Sequence, residues 1–221
     1  MFCAEQYMVQ LQNALTDSFG KRLAYVGLQG SYMRGEATEN SDIDPMVVID
    51  GLSVLDLNAY RKIIENMEAP EKSCGFICST EDLHLWNPLE ICHLLHTTKD
   101  IYGELHALVP VYSDDDVENF VKLSVNNLYH EITHRYVHAS ELHNQNMISN
   151  SFKSVFFVLQ NLHYLESSNF IATKRELLTQ LSGIDAEVLE VAMDLNRGVD
   201  YDFPWLFELL HSWCRNVSAR V

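Results

Sequence analysis

A chain of 221 residues, 47% hydrophobic and 21% charged, has a globular composition and can bury a sizeable core in one large domain or two small ones. Its 31 acidic against 15 basic residues leave a formal net charge of −16. That balance excludes nucleic acid as an expected partner, since such binding relies on Lys and Arg neutralising phosphates, and suits a cationic small substrate, although acidity also serves solubility alone.

Apolar positions Ala4, Tyr7, Met8, Leu11 and Leu15 predict a helix over 4–18, closed at Gly20. Residues 22–28 read as a strand, 30–41 as a polar loop that can hold a helical turn, and 43–49 as a second strand stopped at Gly51. A helix follows over 55–67, then a third strand over 74–79. Pro88 fits the first turn of a helix running to about 96. From Asn87 onward every periodic segment reads as helical: 114–143 behind the acidic Asp114-Asp115-Asp116, then 151–166, 173–181, 186–196 and 203–217. Thr173 and Glu176 fit a capping box. The pattern predicts an α+β protein, with an α/β domain carrying a small mixed sheet over 1–105 and a helical bundle over 106–221. No apolar run approaches the roughly 20 residues of a membrane span. Met1-Phe2-Cys3-Ala4-Glu5 lacks the basic and apolar regions of a secretory leader, so a cytoplasmic protein away from membranes is expected. The five cysteines include no C-x-x-C pair, and Cys74 and Cys78, on one face of the third strand, read as buried packing.

Chemistry concentrates between the first two strands. Gly30 at a strand end lets backbone approach a phosphate closely, because no Cβ intervenes. Ser31 adds a hydroxyl, and a helical turn starting there would offer free N–H groups to an anion. Asp42 and Asp44 straddle the start of the next strand, where a period of two points both carboxylates to one face. Two close carboxylates repel and are stabilised by a hard cation such as Mg²⁺. Alone, a D-x-D is usually a solvated turn and a Gly-Ser merely a turn. Joined, with ten residues between Ser31 and Asp42 and apolar strands on both sides, they describe a triphosphate-and-metal site.

This segment resembles the G-S…D-x-D signature of the DNA polymerase β-type nucleotidyltransferase superfamily, and is most similar to small bacterial aminoglycoside adenylyltransferases. Glu81-Asp82-Leu83-His84-Leu85-Trp86 is similar to the acidic pair and Trp of the streptomycin/spectinomycin enzymes. Asn169-Phe170-Ile171-Ala172-Thr173-Lys174 resembles the segment that supplies their ATP-contacting lysine, here Lys174. The resemblance implies Asp42 and Asp44 as ligands of one or two Mg²⁺ ions and Gly30 and Ser31 as the cradle of the NTP phosphates. Arg34 stands where it can reach the triphosphate or form a surface salt bridge. A small-molecule acceptor, held between the domains, would attack the α-phosphorus through a hydroxyl and release pyrophosphate. The family's third carboxylate aligns with Cys74, a poor ligand for Mg²⁺. Glu81, or else Glu71, is the nearest acid to take that role. Pro45 after the second aspartate places its strand at an edge or leaves it locally unpaired.

His130-Glu131-Ile132-Thr133-His134 satisfies H-E-x-x-H, with His138 one turn on. Three ligands on one straight stripe cannot easily close a tetrahedron, so chance or cleft lining is preferred over a zinc protease. Two further functions compete with small-molecule transfer. One is a nucleotide-binding regulator weakened by Cys74. The other is a protein adenylyltransferase of toxin–antitoxin type, although Arg135 and His138 lie too close together for the R-x4–6-H motif of the toxin half.

Overall fold

The computed structural model describes residues 2–221, the side chains of residues 141 and 146 excepted. The chain divides into two compact units, Met1–Val111 and Tyr112–Val221, a little beyond the expected boundary at 105.

In the first unit, helix α1 (Ala4–Phe19) buries Tyr7, Met8, Leu11, Leu15 and Phe19 along one stripe, as its helical spacing requires. Strand β1 (Leu23–Gln29) leads into the single turn α2 (Gly30–Met33), and β2 (Asp44–Ile49) into α3 (Val54–Glu65). Then come β3 (Phe76–Cys78), α4 (Thr80–His84), α5 (Pro88–His96) and β4 (Lys99–Tyr102). Among the described residues these strands form one mixed sheet ordered β3-β2-β1-β4, with β1 antiparallel to β2 and β4 and β2 parallel to β3. Val26, Leu28, Ile43, Val47 and Ile49 pack with α1 in one core cluster, which Ile63 and Ile64 of α3 join. Tyr25, Met46 and Val48 pack in another with Cys78, Leu83 and Leu105, beside Leu94 and Leu95 of α5. Each fully buried aliphatic side chain contributes about 1.5–3 kcal/mol. Alternation along β2 puts Asp42 and Asp44 in phase with Met46 and Val48, the face toward α4 and α5.

Two expectations need correction here, one helix was not expected, and one pair of alternatives is resolved. The segment after Asn87 is not wholly helical: β4 reads Lys-Asp-Ile-Tyr, an exposed edge strand whose polarity hides it. α4 is too short for periodicity and exists through its cap, with Ser79 accepting from Asp82 N–H and Asp82 from Ser79 N–H. Cys74 is exposed and precedes β3, so only Cys78 is the buried packing thiol, its pKa pushed by burial to about 12. Finally, β2 lies inside the sheet, not at its edge. Ile43 N–H donates to Lys72 O at 2.8 Å, so residues 43, 45 and 47 turn their polar groups toward the β3 side. Pro45 therefore lacks its N–H beside Gly75, before β3 begins, and the unpaired alternative is the one realised. The contact is close: a Cβ on Gly75 would lie 2.2 Å from Pro45 O.

The second unit contains α6 (Asp114–His138), α7 (Glu141–Ser151), α8 (Val155–Ser167), α9 (Lys174–Gln180), α10 (Gly183–Asn196) and α11 (Phe203–Ser218). Its core joins Val121, Val125 and Leu128 of α6 to Leu159 of α8, Leu189 of α10 and Trp213 of α11. The helix expected over 114–143 breaks at Ala139–Ser140. Ser140 Oγ accepts from His143 N–H, a donor that a continuous helix would pair with Ala139 O, and Asn144 Nδ2 donates to Arg135 O beside the Ala139 N–H that ends α6. Thr173 caps α9 by accepting from Glu176 N–H. No described helix is long and apolar enough to cross a membrane.

One buried carboxylate ties this unit together. Asp185 accepts from the buried Trp213 Nε1 at 2.9 Å and pairs with Arg220 Nη1 at 2.6 Å. Asp185→Ala would leave the indole N–H unsatisfied in the core, a loss of about 3 kcal/mol. Urea unfolding should read that loss, with Asp185→Asn recovering part of it.

Candidate functional site

The site is assembled where β1 ends and β2 begins. Gln29 lies opposite Asp44 in the antiparallel ladder, so the chain leaves β1 at Gly30 directly alongside the Asp44 carboxylate. A Cβ on Gly30 would sit 1.8 Å from Asp44 Oδ2, and Gly30 has φ +69°, in the left-handed region. Both facts demand glycine. Gly30 and Ser31 open α2, whose first N–H groups have no acceptor within the turn. Arg34 closes the turn with its N–H on Gly30 O, and Glu36 N–H reaches Ser31 O at 2.9 Å.

Asp42 is exposed and Asp44 half-buried, two residues apart on one face. Burial pushes the Asp44 carboxyl above the usual range, the charge of Asp42 adds to this, and Arg34 partly offsets it. A half-buried carboxylate beside a second one is a donor set that a hard divalent cation fits. Asp42 and Asp44 are the residues that would hold Mg²⁺. Among the described residues, no cluster of three or more His, Cys, Asp or Glu is placed to hold a metal.

Arg34 is 10% exposed and its Nε donates to Glu36 Oε2 at 3.0 Å. It is a half-interior cation whose charge acts on Asp44, not a loose surface salt bridge. That charge also acts on His93 of α5, a residue the sequence reading passed over inside an apolar helical run. Burial, then Arg34, then His96 hold His93 down to about 4, so its imidazole is neutral near pH 7. Gln29 was likewise unremarked. Its Nε2 donates to Thr98 Oγ1 at 2.9 Å and lies 3.8 Å from Met46 Sδ.

The candidates for the third carboxylate separate clearly. Glu81 lies in α4, after the far end of β3. Thr80 Oγ1 donates to Asp50 Oδ1, and Asp50 follows the end of β2 opposite to Asp44. Six residues of strand place Glu81 roughly 15–20 Å from the aspartate pair. Its pKa is lowered by a backbone N–H and by the Thr80 hydroxyl, as befits an anion at a helix start. The structure does not bring Glu81 to the site. Glu71 is exposed in the turn Pro70–Lys72, on the Asp42 side of the sheet. The bridge between Ile43 and Ser73 puts Cys74 level with Asp44, the position at which a third acid is expected.

Lys174 belongs to the second unit, as the first residue of α9, with Nζ 5.3 Å from the Phe156 ring centroid. His130, His134 and His138 form an exposed stripe with ring centroids 5.8 and 4.8 Å apart. Glu131, the general base that a zinc protease would need, is instead ion-paired with Arg135 and accepts from Ser151 Oγ.

Residues 10–74 match the family described as nucleotidyltransferase domain, a span that includes Gly30, Ser31, Asp42 and Asp44. No curated protein matches the chain. Among solved structures, the chain is similar to the spectinomycin adenyltransferase AAD(9) from Enterococcus faecialis, determined with ATP and spectinomycin. The likeness spans 97% of this chain and 99% of that one at 15% identity, with a TM-score of 0.59. A toxin–antitoxin structure with AMP-PNP aligns over 58% of this chain and 92% of its own at 19% identity, with a TM-score of 0.34. Residues 10–74 thus match a nucleotidyltransferase domain, and the chain as a whole has a fold like that of the adenyltransferase.

Proposed function

We propose that this nucleotidyltransferase-type enzyme transfers a nucleoside monophosphate, AMP from ATP, to a hydroxyl of a small, cationic acceptor. The observation that carries the reading is the contact of Gly30 with Asp44, which sets the turn assigned here to the phosphates directly against a carboxylate assigned to the metal. The neighbour solved with ATP and spectinomycin supports pairing that nucleotide with a small acceptor, and the net charge of −16 favours a cation.

In this reading Asp42 and Asp44 hold Mg²⁺, which when bound neutralises phosphate charge and acts as a Lewis acid. Ser31 Oγ and the first N–H groups of α2 bind the β- and γ-phosphates, and Arg34 supplies a fixed positive charge beside them. The acceptor oxygen forms its bond to the α-phosphorus as the bond to pyrophosphate breaks in line, and its proton leaves to solvent or to a base. Lys174 is assigned to ATP as well, and the helical unit to the acceptor.

A second reading, a nucleotide-binding regulator of weak turnover, is favoured by one specific observation: Cys74 stands level with Asp44 where a third acid is expected. A screen of α-labelled NTPs against aminoglycosides, lincosamides, nucleotides and lysate separates the two. Label on an amine-bearing small molecule, with ATP as donor, is the expected result. An unlabelled panel beside tight Mg-ATP binding would instead favour the regulator. Cys74→Asp is expected to raise kcat about 100-fold, the low end of the range for a positioned base. A fall in turnover would show that no acid is wanted there.

A further inference from the structure

We propose that Gln29 is a positioning residue for the phosphate-binding turn, held by Thr98 so that Gly30 leaves β1 in the one direction that brings it against Asp44. The proposal rests on the nucleotide reading of this site and adds a residue to it. Gln29 is the last residue of β1 and pairs across the ladder with Asp44 on one side. On the other side Leu28 pairs with Lys99, which brings Thr98, at the junction of α5 and β4, next to Gln29. Period two points the Gln29 side chain to the same face as Tyr25 and Asp44.

The hydrogen bonds there run in one direction. Gln29 Nε2 donates to Thr98 Oγ1 at 2.9 Å, and Thr98 Oγ1 donates in turn to Leu94 O at 2.6 Å, near the C-terminal end of α5. The Thr98 hydroxyl can serve both only with its single proton on Leu94 O, which fixes its lone pairs toward Gln29. The fit is also steric: a Cβ on Gly27 would lie 2.3 Å from Tyr25 Oη and 2.8 Å from Thr98 Cγ2, so Gly27 leaves room for both side chains. Gln29 itself keeps extended dihedrals, φ −117° and ψ −171°, and the change of direction falls wholly on Gly30. A strand end with no such tether would be free to fray, and with it the turn that carries Ser31.

The test compares Gln29→Leu and Thr98→Val, both near-isosteric, with the double variant by amide hydrogen exchange on the ligand-free full chain. Each single substitution is expected to speed exchange at residues 34–36, whose N–H groups close the turn on Gly30 O, Tyr32 O and Ser31 O, about 5- to 10-fold, the equilibrium worth of one hydrogen bond, with α1 and α3 unchanged. The double variant should be no faster than the faster single, because both remove the same link. Unchanged exchange in either single, or effects that multiply, would overturn the proposal. Exchange that also rises in α1 and α3 would overturn it too, since Gln29 would then be supporting the whole sheet. Titration with Mg-ATP accompanies these measurements, and affinity should weaken about 5- to 10-fold in both singles. If exchange responds as expected while the wild-type chain binds no Mg-ATP, the tether stands and the nucleotide reading falls.

Discussion

Gly30→Ala is expected to reduce transfer about 100-fold or more while the chain still folds. The substitution carries two separate costs. A non-glycine residue at φ +69° is strained by about 1–2 kcal/mol. In addition its Cβ would occupy space 1.8 Å from Asp44 Oδ2, so the carboxylate or the turn must move by an ångström or more. Displacements of that size between reacting groups cost about 10²-fold in rate. Gly51→Ala separates the two effects, because Gly51 has φ +58° but nothing within 4 Å of its Cβ position. It should lose stability by the strain alone and keep its rate. Equal loss of rate in both variants would mean that backbone strain, not the contact with Asp44, governs the site.

Asp44→Asn should remove transfer by about 10³-fold or more, the rate equivalent of the several kcal/mol that a metal ion contributes to phosphate chemistry. The same substitution should raise the melting temperature of the metal-free protein at neutral pH. The folded chain holds Asp44 half-buried beside Asp42, so its pKa lies above that of the unfolded chain. A carboxyl raised on folding favours the folded state when protonated, so its cost is absent below the unfolded pKa and grows as pH rises through the folded one. Asparagine carries no such charge. The stabilisation should therefore be largest above the raised pKa of Asp44 and fade in acid, and scanning calorimetry across pH reads it directly. Added Mg²⁺ should stabilise the wild type at neutral pH and not the variant. A variant less stable than the wild type at every pH would mean that Asp44 is a structural anion.

The sequence made the site legible because its parts are local. Gly30-Ser31 and Asp42-x-Asp44 stand within one strand-turn-strand segment, and period two was enough to put both carboxylates on one face. The α1 stripe was readable for the same kind of reason, with apolar residues recurring at helical spacing. What escaped was set by partners distant in the chain. Thr98 is 69 residues from Gln29, and only the pairing of β4 with β1 brings them together. β4 itself could not be seen, because an exposed edge strand need not alternate. The choice among Glu71, Cys74 and Glu81 was a question of register between β2 and β3, which no propensity encodes. The bridge from Ile43 to Ser73 sets Cys74 level with Asp44, and α4 carries Glu81 at the other end of the sheet. Pro45 illustrates the same limit: its missing donor was evident, but whether that donor faced an edge or a gap depended on where β3 starts.

The central claim is that Gly30, Ser31, Asp42 and Asp44 form one site for a metal-bound triphosphate. Calorimetric titration of ATP into the wild type and into Asp42→Asn/Asp44→Asn, each with Mg²⁺ and with EDTA, tests it most directly. Binding by the wild type with Mg²⁺ should weaken about 100-fold or more, a loss of about 2.7 kcal/mol, when either the metal or the carboxylates are removed, and removing both should cost no more than removing one. Undiminished Mg-ATP binding by the double variant would contradict it.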